Sequence, residues 1–297
     1  MIGDFEDVFL PAADGLSLHA RIYPCRDSGA WPAICLPGLT RNVRDFHELA
    51  LFLSQEAPLP RRVIAIDSRG RGESARDPDP ANYSLPVEAR DAMTVLDALD
   101  VERGHFVGTS RGGLIVHLLA VMDPGRLGSV ILNDVGPALG VAGLAQIKQY
   151  LSAPYRRPAS FAEAEALQRT IHGAAFPALT DADWARMTAA IYRNDGGLPV
   201  SDYDPAIAAA FAGLDLEQPL GTLWPQFDAL PHVPLMVIRG ERSMLLDETT
   251  VARMQRSRPD LSLVVIAGQG HPPMLETGDL PTRIAAFMAS AESNKAS

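Results

Sequence analysis

Hydrophobic positions along the chain follow two alternating patterns. Short continuous apolar runs, such as "PAICLPG" at 32–38 and "LGSVILNDVGP" at 127–137, indicate strands buried on both faces. Between such runs, apolar residues three and four apart indicate helices, as in "VRDFHELALFLSQ" at 43–55. Strands that alternate with helices predict an α/β fold in which a mostly parallel sheet carries helices on both faces.

Eight segments have strand patterns. The first two, "FEDVFLP" and "LSLHARIYP", alternate in polarity and are joined at Asp14-Gly15, which predicts an antiparallel pair with a hairpin-like turn. The other six are buried-strand patterns in "PAICLPG", "RRVIAID", "HFVGT", "LGSVILN", "PLMVIRG" and "LSLVVIAG". We therefore expect an eight-stranded sheet.

The strand signals stop after Pro137 and resume after Pro231. The intervening segment is rich in alanine and reads as helical. "SFAEAEALQRTIHGAAF" opens on a Ser-x-x-Glu capping box, and "TDADWARMTAAIY" repeats that device at Thr180. The first of these helices has an apolar face formed by Phe161, Ala164, Leu167 and Ile171. We interpret 137–231 as an inserted helical cap, and 1–136 with 232–297 as the core domain.

Composition narrows the possible functions. The net charge is −10 and no basic cluster stands out, which argues against binding to nucleic acid or to an anionic membrane. No apolar run has the length of a membrane span, and the first residues lack the order of a signal peptide. The two cysteines, Cys25 and Cys35, suggest neither a disulfide framework nor a metal site. We expect a cytoplasmic protein with free thiols.

The stretch "HFVGTSRGGLIV" at 105–116 places Ser110 within Gly-x-Ser-x-Gly, at a predicted change from strand to helix. Gly108 and Gly112 allow the strand and the helix to pack closely, so that a tight turn exposes the serine hydroxyl. The alternative is that Ser110 only caps the helix. A serine nucleophile needs a base, and His271 follows the last predicted strand in the glycine-rich phrase "GQGHPPM".

These motifs resemble the α/β-hydrolase superfamily. The resemblance covers nearly the whole chain and includes "PGLTRN", "DSRGRGES", "GTSRGG" and "GQGHPP", with the inserted helices matching the cap domain. Phrases such as "LWPQFDAL" are similar to those of cytoplasmic esterase-like members. The resemblance implies Ser110 as nucleophile, His271 as general base, and an oxyanion hole formed by the backbone N–H groups of Leu39 and Arg111.

The acid that orients the histidine is missing from its usual place. In this superfamily the acid commonly follows the seventh core strand, where this chain has Met244 in "RGERSMLLDETT". Some members carry the acid after the sixth strand, which corresponds to Asp134 here and is the assignment that we favour. Asp247 or Glu241 on a shifted loop is a second possibility, and the absence of a working acid is a third.

Candidate substrate-binding residues flank this site. Arg41 and Arg111 adjoin the expected oxyanion hole, where a guanidinium group can bind a substrate carboxylate or, alternatively, loop carbonyls. Trp184 and Tyr192 are the cap aromatic residues that we select as substrate-binding. The other aromatic residues of this group are expected to pack in the cap core: Phe176, Trp224 and Phe227.

The resulting hypothesis is a serine hydrolase that cleaves a carboxylic ester or a lactone through an acyl-enzyme on Ser110. It implies a small-molecule substrate and neither a metal ion nor an organic cofactor, and it leaves the oligomeric state open. A small-molecule sensor on a hydrolase scaffold is the alternative from another class, because the acid is absent at Met244. A third hypothesis is that the protein is a carbon–carbon hydrolase, a lyase or a perhydrolase.

Overall fold

The computed structural model describes residues 4–25, 29–152 and 156–293. Eight strands form one sheet: β1 (Glu6–Pro11), β2 (Ser17–Tyr23), β3 (Ala33–Leu36), β4 (Val63–Ile66), β5 (Gly104–Thr109), β6 (Leu127–Asn133), β9 (Leu235–Gly240) and β10 (Ser262–Ile266). Their order in the sheet is β1-β2-β4-β3-β5-β6-β9-β10. The β1–β2 and β2–β4 pairs are antiparallel, and all other neighbours are parallel. The predicted eight-stranded, mostly parallel sheet is therefore confirmed.

Ten α-helices occur in the described residues, and α1 continues from a 3₁₀ turn at Val43–Phe46 into a π turn at Phe52–Glu56. The predicted helix at 43–55 is thus one continuous helical segment with three hydrogen-bonding patterns. The helices are α1 (His47–Leu51), α2 (Leu85–Ala98), α3 (Arg111–Met122), α4 (Val141–Leu151), α5 (Phe161–His172), α6 (Asp181–Ile191), α7 (Pro205–Ala212), α8 (Trp224–Asp228), α9 (Glu248–Ser257) and α10 (Leu280–Ser293).

The central strands are buried on both faces because successive side chains enter two different cores. In β3, Ile34 and Leu36 join one hydrophobic cluster, while Ala33 and Cys35 join the other. Helices α2, α3 and α9 cover the first face, and α1 and α10 cover the second. This period of two explains why the strands appear in the sequence as continuous apolar runs.

The segment between β6 and β9 differs from the all-helical prediction in two ways. A hairpin follows α6, with β7 (Tyr192–Asp195) paired antiparallel to β8 (Leu198–Ser201). Its turn contains Gly196 and Gly197, both with positive φ, a turn signal that the alanine-rich pattern obscured. Helix α8 also lies within the predicted cap, yet Trp224 and Phe227 pack into the core cluster of the main sheet.

Residues of α4, α5, α6 and α7 line one cavity together with Ser110, which follows β5, and His271, which follows β10. The Thr180 side chain and Asp183 form the predicted capping box at the start of α6. On α5, Ala164 and Gln168 are the buried residues, whereas Leu167 and Ile171 line a cavity rather than a packed face. Their hydrophobic side chains are therefore available to a ligand and not to the cap core.

Candidate active site

Ser110 occupies a sharp turn between β5 and α3. Its backbone has φ 51° and ψ −115°, a left-handed conformation that is rare for a residue other than glycine. A Cβ atom on Gly108 would lie 2.5 Å from Gly113 Cα, and one on Gly112 would lie 2.0 Å from the Leu36 carbonyl oxygen. The two motif glycines thus allow the close strand–helix contact that holds this turn.

The structure brings Ser110 and His271 together although 161 residues separate them. The Ser110 Oγ atom lies 2.8 Å from His271 Nε2, within hydrogen-bonding distance. On the other side of the ring, His271 Nδ1 lies 2.7 Å from Asp134 Oδ2. With its Nδ1 proton donated to the carboxylate, the imidazole presents an unprotonated Nε2 to the serine hydroxyl.

Asp134 is fully buried at the end of β6, where its backbone also has a positive φ of 55°. Its Oδ1 atom accepts a hydrogen bond from the Gly240 N–H at 2.8 Å, and its Oδ2 atom accepts one from the Ser243 hydroxyl at 2.6 Å. These donors replace the water that a buried carboxylate loses. The side chain is therefore held toward His271 from the neighbouring strand β9 and the loop that follows it.

The other acid candidates are engaged elsewhere. Asp247 caps α9, where its side chain accepts from the Thr250 N–H at 2.6 Å. Glu241 accepts from the Gly268 N–H at 2.8 Å. Met244, at the position usual for the acid, is 51% exposed and lines the cavity. Because Asp134 contacts the imidazole, the missing carboxylate at Met244 no longer argues against hydrolysis.

The loop that contains Leu39 lies beside the nucleophile, since a Cβ atom on Gly38 would be 3.8 Å from Ser110 Cβ. Among the described residues, no protein group accepts a hydrogen bond from the backbone N–H of Leu39 or of Arg111. The two N–H groups are consequently available to a ligand oxygen, as an oxyanion hole requires.

One buried carboxylate connects these two donor residues. Glu88 on α2 lies 2.7 Å from Arg71 Nη1 and 2.6 Å from Arg111 Nε, and Arg71 Nε donates to the Leu39 carbonyl oxygen at 2.8 Å. Neither Glu88 nor Arg71 was among the residues predicted from the sequence, because neither contact follows from local spacing. The Arg111 side chain is thereby turned away from the cavity, which contradicts its suggested role in binding a substrate carboxylate.

A cavity of about 1400 Å³ opens over Ser110 and His271, between the core loops and the cap. Arg41 and Tyr192 line it, as expected, although Arg41 is already paired with Asp45 and the Tyr192 hydroxyl accepts from Gln168 at 2.9 Å. The prediction for Trp184 is wrong. This side chain is 3% exposed and packs edge-to-face against Phe176 in the cap core, because its helix turns it inward.

Three titratable cavity residues were also missed by the sequence analysis. Burial raises the pKa of Glu276 to about 7 and the pKa of Tyr150 to about 12. Burial also lowers the pKa of His172 to about 4, with positive charge on Arg41 adding to this effect. His172 and Tyr150 lie in the predicted cap and Glu276 lies between β10 and α10, and none of the three belongs to a motif, so no sequence signal pointed to them.

Comparison with known proteins gives the family. The alpha/beta hydrolase fold model matches residues 32–277. The chain belongs to the alpha/beta hydrolase family. A 3-hydroxybutyrate-oligomer hydrolase of Cupriavidus necator is 35% identical to this hydrolase over 274 residues, which are 89% of this chain and 91% of the relative. The resemblance found in the motifs is therefore confirmed.

Further relatives of this alpha/beta hydrolase agree with that assignment. A 2-(acetamidomethylene)succinate hydrolase of Mesorhizobium japonicum is 28% identical over 83% of this chain and 84% of its own. The crystal structure of an alpha/beta hydrolase from Novosphingobium aromaticivorans superposes with a TM-score of 0.87 and 35% identity, covering 97% of this chain and 99% of that one. Family membership and these relatives support hydrolase activity.

Neither a membrane-spanning helix nor a metal-binding cluster occurs in the described residues of this alpha/beta hydrolase. None of its helices there combines the length and the apolar character that crossing a bilayer would require. Within the same ranges, no cluster of three or more histidine, cysteine, aspartate or glutamate side chains is arranged to hold a metal ion.

Proposed function

We propose that this protein is a serine hydrolase that cleaves carboxylic esters or lactones through an acyl-enzyme on Ser110. The observation that carries the proposal is the hydrogen-bonded series from Ser110 Oγ through His271 to Asp134, with distances of 2.8 and 2.7 Å. A hydroxyl at this distance from an oriented imidazole can transfer its proton as it attacks a carbonyl carbon.

The residues divide the reaction into two steps. Ser110 Oγ attacks the ester carbonyl carbon while His271 Nε2 takes the hydroxyl proton, and the Leu39 and Arg111 N–H groups stabilise the oxyanion. The bond to the alcohol oxygen then breaks, and His271 gives its proton to the leaving alcohol. In the second step His271 takes a proton from water as the water oxygen attacks the acyl carbon. The bond to Ser110 Oγ then breaks, His271 gives the proton to that oxygen, and the acid is released. Asp134 keeps the ring oriented and stabilises the imidazolium.

Short oligoesters of 3-hydroxy acids are the substrate class that we infer. The Cupriavidus necator relative is named for 3-hydroxybutyrate oligomers and matches over most of both chains. The cavity has room for more than one such unit, and Leu167 and Ile171 provide an apolar wall for the methyl-bearing chain.

The test uses purified wild-type protein, Ser110→Ala and the control Ser152→Ala, a second serine that lines the same cavity. We expect hydrolysis of p-nitrophenyl butyrate to fall by about 10⁴-fold or more in Ser110→Ala and to stay at the wild-type rate in the control. A fluorophosphonate probe should label wild-type protein at Ser110 in a 1:1 ratio. Wild-type turnover in Ser110→Ala, or no labelling of a folded wild-type protein, would contradict the proposal, and the latter would favour a sensor.

Carbon–carbon bond hydrolysis is the second candidate. A 2-hydroxymuconate semialdehyde hydrolase of a Pseudomonas species is 37% identical, over 46% of this chain and 46% of its own. The same serine, histidine and oxyanion donors serve that chemistry on a fold that hosts many reactions. Product analysis with both an oligoester and a vinylogous 1,5-diketone separates the two candidates. If only the diketone is cleaved, the proposed function becomes carbon–carbon bond hydrolysis instead of ester hydrolysis.

A further inference from the structure

Arginines outnumber acidic residues in the lining of the active-site cavity. The chain has a net charge of −10. Nonetheless, nine arginines line the cavity, and only three acidic residues accompany them. An arginine of this lining that lacks a carboxylate partner can attract a small anion, because the low-dielectric walls of a cavity focus the field of its charge.

Most of these arginines already have a carboxylate partner. Seven of the nine form an ion pair within the described residues, as Arg44 does with Asp202 at 2.8 Å and Arg156 does with Glu163 at 3.3 Å. For Arg76 and Arg242, no carboxylate in the described part of the chain lies within ion-pair distance. The anion-binding capacity of the cavity is therefore concentrated in these two side chains.

Arg242 presents an open hydrogen-bonding edge. Its Nη1 atom donates to the Ala174 carbonyl oxygen at 2.9 Å, which fixes one side of the guanidinium group against the cap. The Nε and Nη2 atoms make no hydrogen bond to any described residue. A guanidinium edge with two parallel N–H groups matches the two oxygens of a carboxylate.

The position of Arg242 in the sheet connects it to the catalytic residues. It follows β9, which lies between β6, the strand directly before Asp134, and β10, the strand that precedes His271. The Arg242 backbone N–H donates to the Gln269 carbonyl oxygen at 2.9 Å, two residues before His271. Arg76 instead follows β4, two strands away from β5, and also borders a separate small pocket.

We propose that Arg242 binds the free carboxylate of an anionic ester, so that the protein prefers esters whose chain ends in a carboxylate. This inference rests on the proposed ester hydrolysis and names the residue that selects among esters. A carboxylate fits better than a phosphate dianion, because a single open guanidinium edge supplies two donors and the adjacent Met244 contributes apolar surface.

The experiment compares two substrates that contain the same ester bond. One is the linear dimer of 3-hydroxybutyric acid, which ends in a carboxylate, and the other is its uncharged primary amide. The proteins are wild type, Arg242→Gln, Arg76→Gln and Arg156→Gln. The last variant removes the same charge from a cavity arginine that is already paired. The measured quantity is the ratio of kcat/KM for the acid to kcat/KM for the amide.

We expect a ratio of about 10 or more for the wild type, the discrimination typical of a hydrogen bond to a charged group, and a ratio of about one in Arg242→Gln. Arg156→Gln should keep the wild-type ratio. A wild-type ratio near one, an unchanged ratio in Arg242→Gln, or the same loss in Arg76→Gln would overturn the assignment.

A third substrate separates the failure of this inference from the failure of the proposed function. If the wild type hydrolyses p-nitrophenyl butyrate but neither dimer, the substrate inference alone is overturned. If it hydrolyses none of the three esters while it is folded, the proposed ester hydrolysis fails and this inference fails with it.

Discussion

The Ser243 hydroxyl donates a 2.6 Å hydrogen bond to Asp134 Oδ2, the same oxygen that lies 2.7 Å from His271 Nδ1. Ser243 belongs to the loop after β9, directly before Met244. The loop after β9 does not supply the acid, but through Ser243 it orients Asp134. Asp134 reaches the imidazole from one strand, and a hydroxyl from the next strand's loop fixes its position.

The first prediction concerns this pair. Asp134→Asn should lower kcat for p-nitrophenyl butyrate by about 10⁴-fold, because an amide neither favours the required tautomer nor stabilises the imidazolium. Ser243→Ala removes one donor and should lower kcat by about 5- to 30-fold. Glu241→Gln serves as the control, since Glu241 bonds to the Gly268 N–H instead. Steady-state kinetics measures all three, and a larger loss in Glu241→Gln than in Asp134→Asn would contradict the arrangement.

The second prediction concerns Glu88 as a positioning residue. In Glu88→Gln the contacts to Arg71 and Arg111 weaken, so that the Leu39 and Arg111 N–H groups lose their fixed positions. We expect kcat to fall by about 10- to 100-fold with little change in KM, and binding of an alkyl boronic acid, whose tetrahedral adduct mimics the oxyanion, to weaken in parallel.

A matched variant distinguishes positioning from general destabilisation. Asp91→Asn alters a second buried carboxylate on α2, which pairs with Arg69 at 2.7 Å and not with the oxyanion loop. It should lower the free energy of unfolding while boronic acid affinity stays at the wild-type value. Equal losses of boronic acid affinity in both variants would show that Glu88 has only a structural role.

The third prediction tests the close packing at the sharp turn between β5 and α3 that carries Ser110, called the elbow below. A methyl group at Gly112 would lie 2.0 Å from the Leu36 carbonyl oxygen and 2.5 Å from the Leu36 carbonyl carbon, which are backbone atoms and cannot rotate away as a flexible side chain can. Gly112→Ala should therefore lower the free energy of unfolding by about 3 kcal/mol, as measured by urea denaturation. At Gly125 the nearest atom is 3.8 Å away, so Gly125→Ala is the control and should change stability little. Equal stability of the two variants would refute the close contact.

The fourth prediction uses the raised pKa of Glu276, which is about 7 against an ordinary value of 4.5. Burial disfavours the ionised form, and Asp45 and Asp183 add repulsion while Arg186 opposes it. Between about pH 4.5 and 7 the folded protein holds this proton more tightly than the unfolded chain does. The folded state is therefore progressively disfavoured as the pH rises through that range.

Glu276→Gln does not titrate and avoids this effect. Its free energy of unfolding relative to wild type should increase from pH 5 to pH 8, by at most about 3 kcal/mol. Urea denaturation of both proteins at pH 5, 6, 7 and 8 gives the difference. A difference that stays constant across the four pH values would contradict the raised pKa.

Much of the fold could be read from the chain because it depends on local patterns. Continuous apolar runs predicted six strands of the main sheet, and alternating polarity predicted the first two. The Asp14-Gly15 pair predicted the first turn, where Gly15 has a φ of 86°. The sharp turn at Ser110 was predictable for the same reason, since the glycines on either side of this serine are required locally by the close contact of strand and helix. The β7–β8 hairpin escaped prediction, because its short strands adjoin a strongly helical segment and bury little apolar surface.

The sequence alone therefore determined the α/β architecture, the elbow at Ser110 and the position of His271 after the last strand. Only the tertiary structure decided which acid contacts that histidine and which residues support the Leu39 and Arg111 backbones. It also decided which cavity arginines have no carboxylate within ion-pair distance among the described residues. These contacts join segments far apart in the chain, such as Asp134 and His271, 137 residues apart. They depend on strand order, which puts β6 and β9 side by side, and no local periodicity encodes that order.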